Sequence, residues 1–170
     1  MVCEPKFELF FNNGEYERHE DGTLRVLSLF SGCGGMDLGF EGGFICHKKS
    51  VTNQDYIHHA VNEDWVRLQR NVFRTVFACD ILEEARLTWL RYMSRYDVNP
   101  EIYHLDSIVD LVKIQREGQD VFPHDIDIVT GGFPCQDFSV AGKRRGFERT
   151  SIFNFFTPYI QTMRGSLKII

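Results

Sequence analysis

Four short apolar runs divide the chain, and each ends in a polar or glycine-rich break. Leu24 to Phe30 is apolar and alternating, which predicts a first strand. Val72 to Cys79 predicts a second strand ending at Asp80. Ile102 to Leu105 predicts a third ending at Asp106, and Ile126 to Thr130 a fourth running into Gly131-Gly132. Between them lie stretches with helical spacing. Met36 to Phe40 opens a short helix. Asp55 to Asn71 places Ile57, Val61, Trp65 and Leu68 on one stripe and predicts a helix covering the sheet. Glu83 to Tyr96 opens with two acids, has its apolar stripe at Leu87, Leu90 and Met93, and is broken by Asn99-Pro100. Ser107 caps a helix that runs to Glu117 and stops at Gly118. Ser151 to Met163 predicts a last amphipathic helix kinked at Pro158.

Strands alternating with helices imply an α/β fold, a doubly wound, mostly parallel sheet with helices on both faces. Ligands of such sheets bind beyond the carboxyl ends of the strands. A glycine-rich turn, Asp80, Asp106 and a loop holding Cys135 all fall at that edge. Residues 1–22 are polar and mixed and read as an N-terminal extension to a domain over 23–170, within which 45–71 reads as an insertion.

Composition narrows the class. With 170 residues, 43% hydrophobic and 25% charged, the chain can bury a real core. No apolar run approaches the roughly 18 residues of a membrane span, and Met1 to Lys6 lacks the order of a signal peptide, so a cytoplasmic protein is expected. Five scattered cysteines form no C-x-x-C pair, so neither a metal site nor a disulfide framework is expected. A net charge of −5 argues against broad electrostatic binding of nucleic acid. The local exception is the cluster Lys143, Arg144, Arg145 and Arg149.

Two segments carry chemistry. Phe30-Ser31-Gly32-Cys33-Gly34-Gly35 is a turn able to approach a ligand closely. An acid at the tip of the second strand, Asp80, is placed to accept from ribose hydroxyls. The spacing is not that of a dinucleotide fingerprint. Phe133-Pro134-Cys135-Gln136 follows a buried strand through a Gly/Pro-shaped turn, where a cysteine is placed as a nucleophile. Basic neighbours would favour its thiolate. Cys33, Cys46 and Cys79 read instead as inert buried thiols.

The stretch from Leu29 to Phe40 and the stretch from Asp127 to Gly146, with Phe-Pro-Cys-Gln-x-Phe-Ser-x-x-Gly at its centre, resemble the cytosine-5 DNA methyltransferases over residues 24–163. The resemblance implies a Rossmann-like S-adenosyl-L-methionine-dependent fold, here incomplete, acting on double-stranded DNA with a flipped cytosine in a restriction–modification setting. It implies that Phe30, Ser31, Gly32, Cys33, Gly34 and Gly35 form the cofactor turn. Asp80 would take the ribose, Ile81 would pack on adenine and Asp106 would contact the adenine amine. Phe133 and Pro134 would touch cofactor and base, and Cys135 would be the nucleophile. Gln136, Ser139, Lys143, Arg144 and Arg145 would belong to a loop that closes on DNA.

The pattern is also broken. The family's glutamate in a Glu-Asn-Val segment is absent, and the chain ends where the strand before it would start, at Leu167 to Ile170. Glu148 to Ile152 departs from the family's next motif. The sequence therefore reads as a fragment, a truncated product, or half of a split enzyme that needs a complementing C-terminal chain. Two other readings stay open: a non-catalytic domain binding S-adenosylmethionine or a partner, and an RNA cytosine-5 methyltransferase.

Overall fold

The computed structural model describes residues 19–96 and 98–132 and the backbone of 168–169. Its main sheet contains β1 (Leu24–Leu29), β5 (Phe73–Cys79), β6 (Tyr103–His104), β7 (Ile128–Gly131) and β8 (Lys168–Ile169). The order is β6-β5-β1-β7-β8, and every pairing is parallel. Among the described residues, three helices belong to this layer system: α1 (Gly35–Glu41), α2 (Glu83–Met93) and α3 (Ile108–Arg116).

Strand alternation explains why helices cover both faces. Leu27, Leu29, Phe77, Cys79 and Val129 point to one face and pack with Ile108, Leu111 and Val112 of α3 and with Phe122 and Ile126. Ala78 points the other way and packs with Trp89 and Met93 of α2 and with Tyr103. The expected doubly wound α/β core is therefore present. α3 starts where Ser107 Oγ accepts from the Val109 N–H at 3.3 Å, and Gly118 leaves it at φ 90°, the left-handed geometry that glycine adopts most readily.

Two expectations are corrected. Residues 55–71 are not a helix. Together with the preceding residues they form a second, antiparallel sheet of β2 (Ile45–His47), β3 (Ile57–Ala60) and β4 (Trp65–Leu68), ordered β2-β4-β3. Ile57, Val61, Trp65 and Leu68 fit a helical stripe by spacing, but Asn62 breaks it. Its side chain accepts from the N–H groups of Asp64 and Trp65 at 3.0 Å each, turning the chain back on itself. In α2 the buried stripe is also displaced. Leu87 is 57% exposed, whereas Trp89 and Met93, four residues apart, are buried at 0% and 1%.

α1 is joined to β5 at the amino edge of the main sheet by a buried acid. Glu41 Oε1 accepts from the Thr75 N–H at 2.8 Å, and Arg70 and Arg74 reach its Oε2 at 3.2 and 3.4 Å. Among the described residues, no helix is long and apolar enough to cross a membrane.

Candidate functional site

The carboxyl ends of β1, β5 and β6 converge on the turn after β1. Phe30 leaves the strand at φ 53°, Gly32 follows at φ 52° and Gly34 at φ 86°. Three reversals within five residues bend the chain sharply before α1 begins at Gly35. At Gly34 glycine is required twice over. A Cβ there would sit 2.6 Å from Trp89 Cδ1, and the backbone is left-handed. At Gly32 and Gly35 an added Cβ would meet nothing within 4 Å, so that side of the turn is open.

The turn is fastened mainly to β5. The Ser31 N–H donates to the Cys79 carbonyl at 2.9 Å, and Ser31 Oγ accepts from the Cys79 N–H at 3.1 Å. The Gly32 N–H donates to Asp80 Oδ2 at 3.0 Å, while Asp80 Oδ1 accepts from the N–H groups of Ile81 and Leu82 at 2.7 and 3.1 Å. These three bonds leave accepting capacity on Asp80, since a carboxylate offers roughly four lone-pair sites. Next to it the apolar side chains of Ile81 and Leu82 are 69% and 56% exposed. Asp106, just beyond β6, is exposed. The structure thus brings together the glycine turn, Asp80, Ile81 and Asp106 at one edge, as read from the sequence. β7 reaches the same edge at Gly131 and Gly132. Phe133, Pro134, Cys135, Gln136, Ser139, Lys143, Arg144 and Arg145 lie outside the described residues.

The expectation that three cysteines are inert and buried holds for one. Cys79 is buried, and burial pushes its thiol up to about 12, so it stays protonated at neutral pH. Cys33 is exposed on the turn and Cys46 is half-buried in β2, because Cys33 sits where the chain bends outward and Cys46 on the edge of the small sheet.

Three residues that sequence reasoning missed hold the turn from behind. Asp37 in the first turn of α1 is fully buried, and its Oδ2 accepts from Trp89 Nε1 at 2.6 Å. Burial raises the Asp37 carboxyl above its usual range. The bond from Trp89 and the hydroxyl of nearby Ser28 oppose that shift, and the nearby Glu41 charge adds to it. Tyr103 Oη donates to the Gly32 carbonyl at 3.1 Å, and its ring lies 5.1 Å from that of Trp89. The available signal was an acid in the first turn of a short helix; nothing local in the sequence ties the tyrosine or the tryptophan to the turn.

Comparisons with known proteins give the chain its family. A family model described as C-5 cytosine-specific DNA methylase matches residues 24–165. The chain is 35% identical over 135 residues to type II methyltransferase M.BspRI of Lysinibacillus sphaericus, covering 78% of this chain and 28% of that protein. It is 33% identical over 124 residues to M.BsuRI of Bacillus subtilis, covering 71% and 25% respectively. With M.Bsp6I of Bacillus sp. (strain RFL6) it shares 35% over 125 residues, covering 74% and 27%. The chain therefore spans about a quarter of the length of these relatives.

Proposed function

The chain belongs to the C-5 cytosine-specific DNA methylase family, and we propose that it supplies the cofactor turn and the nucleophile of a DNA (cytosine-5-)-methyltransferase. The observation that carries the proposal is the strand-tip edge, where a sharply bent glycine turn shares a backbone-to-carboxylate bond with Asp80 beside exposed Ile81. That donor set fits S-adenosyl-L-methionine. Asp80 keeps a free accepting position for a ribose hydroxyl, Ile81 offers an apolar surface to adenine, Asp106 is available to the exocyclic amine, and the open side of Gly32 and Gly35 leaves room for the chain of the amino acid. Phe30, Ser31, Cys33 and Gly34 complete the turn, and Phe133 and Pro134 are assigned to the cofactor and base side of the site.

When bound, the cofactor supplies an electrophilic sulfonium methyl group. The protein's part is to make carbon 5 of cytosine a nucleophile. The Cys135 thiolate adds to carbon 6, the ring becomes enamine-like, and carbon 5 can accept a methyl group. Loss of the carbon-5 proton then expels the cysteine and restores the aromatic ring. The ring face of a stacked base is inaccessible, so the target cytosine is flipped out of the duplex. Gln136, Ser139, Lys143, Arg144 and Arg145 are assigned to the loop that closes on the DNA backbone, the cations countering phosphate charge.

No Glu-Asn-Val segment is present in these 170 residues. In this reading, the group that protonates the ring at nitrogen 3 and the surface that reads DNA sequence come from sequence beyond the matched stretch or from a complementing chain. The names of the relatives support a role in restriction–modification. The test is methyl transfer by the complete protein from methyl-labelled S-adenosylmethionine. Label recovered as 5-methylcytosine in duplex DNA supports the proposal. Label on RNA, or on an exocyclic amine, overturns it.

A further inference from the structure

The candidate cofactor turn is gripped at Gly32 from two sides. Asp80 takes its N–H at 3.0 Å, and Tyr103 Oη donates to its carbonyl at 3.1 Å. Gly32 is left-handed at φ 52°, and a Cβ added there would meet nothing within 4 Å. The two hydrogen bonds restrain the peptides on either side of Gly32, within a turn that the Ser31 bonds to Cys79 and the bond from the Gly34 N–H to the Ser31 carbonyl already close. Tyr103 is itself rigid. It is 4% exposed, its ring packs on the fully buried Trp89, and Trp89 is anchored to Asp37 at 2.6 Å. β6, which carries Tyr103, also bonds to Asp80 through its main chain, the Asp80 N–H donating to the His104 carbonyl at 3.2 Å. β6 leads directly to Asp106.

We infer that Tyr103 is a positioning residue for the cofactor, its hydroxyl locking the Gly32 peptide in the orientation that lets the turn and Asp80 engage S-adenosylmethionine together. The inference rests on the function proposed above. Tyr103 bonds to the turn at Gly32, and its effect passes through that residue. A tyrosine that merely filled the core would contribute to stability alone.

The test separates these roles with two hydroxyl deletions. Tyr103→Phe keeps the ring against Trp89 and removes only the bond to Gly32. Tyr96→Phe removes a similar bond, from Tyr96 Oη to the Gly42 carbonyl at 2.8 Å, at the far end of α1. Binding of S-adenosylhomocysteine to the full chain is measured by titration calorimetry, with urea midpoints recorded alongside. Without the hydroxyl the free turn populates other orientations, and restoring the competent one on binding costs about the net worth of one hydrogen bond, which predicts about fivefold weaker binding for Tyr103→Phe and wild-type affinity for Tyr96→Phe, while both lower the urea midpoint. Affinity of Tyr103→Phe within twofold of wild type overturns the inference. So does an equal loss in Tyr96→Phe. A wild-type chain that binds no S-adenosylhomocysteine sinks the cofactor reading itself, and the role of Tyr103 with it.

Discussion

Gly34→Ala tests the most tightly built point of the turn. Two costs add at this position. The backbone sits at φ 86°, where an L-residue pays about 1–2 kcal/mol. The new Cβ would also lie 2.6 Å from Trp89 Cδ1 and 3.1 Å from Nε1. The indole cannot swing aside, since it is fully buried and tied to Asp37; overpacking of this kind costs about 1–3 kcal/mol. The expected loss is therefore about 2–5 kcal/mol. Gly118→Ala is the internal control. Its φ is 90°, and nothing lies within 4 Å of its Cβ, so it carries only the conformational cost of about 1–2 kcal/mol. Urea denaturation of both variants isolates the clash as their difference. Equal losses in the two variants would refute the reasoning, because they would mean that Trp89 yields freely and does not define the turn.

Two other perturbations address buried acids. Glu41→Ala leaves the buried Thr75 N–H unpaired and frees Arg70 and Arg74. Those arginines are 45% and 32% exposed, so water recovers much of their charge, and the loss should be about 2–3 kcal/mol, below the figure for a fully buried pair; a denaturation loss under about 1 kcal/mol would contradict the join. For Asp37 the folded carboxyl titrates above its unfolded value, chiefly from burial. The folded state thus holds the proton more tightly, and the stability this contributes is complete below the unfolded pKa of about 3.9 and is lost as pH rises through the raised folded value. Stability of the wild type relative to Asp37→Asn should fall with rising pH across that window, and parallel pH–stability curves would refute it.

Much of the fold was legible because the signals were local. The four apolar runs terminate at Gly or Asp, and Ser107 and Gly118 bracket a helix that forms almost where the caps predict, Ile108–Arg116. The strand-tip assembly of Ser31, Gly32 and Asp80 was legible as well, since strand ends fix it. The small sheet was not. A period of three to four residues between Ile57 and Leu68 imitates a helix, whereas the chain reverses at Asn62 through side-chain and backbone bonds that a spacing pattern does not show. The support behind the turn was also invisible. Trp89 and Asp37 are 52 positions apart, and Tyr103 is 71 positions from Gly32. No pattern within one segment can show such pairings.

The proposed role of Cys135, attack on a flipped cytosine beside the turn at the ends of β1, β5 and β6, has a covalent signature. Covalent trapping tests it most directly. Duplex DNA with 5-fluorocytosine at the target is incubated with the complete protein and S-adenosylmethionine, because fluorine at carbon 5 blocks the release step. A denaturant-stable protein–DNA adduct is expected that disappears in Cys135→Ser, while S-adenosylhomocysteine affinity stays at the wild-type level. An adduct that survives the substitution would show that another residue is the nucleophile.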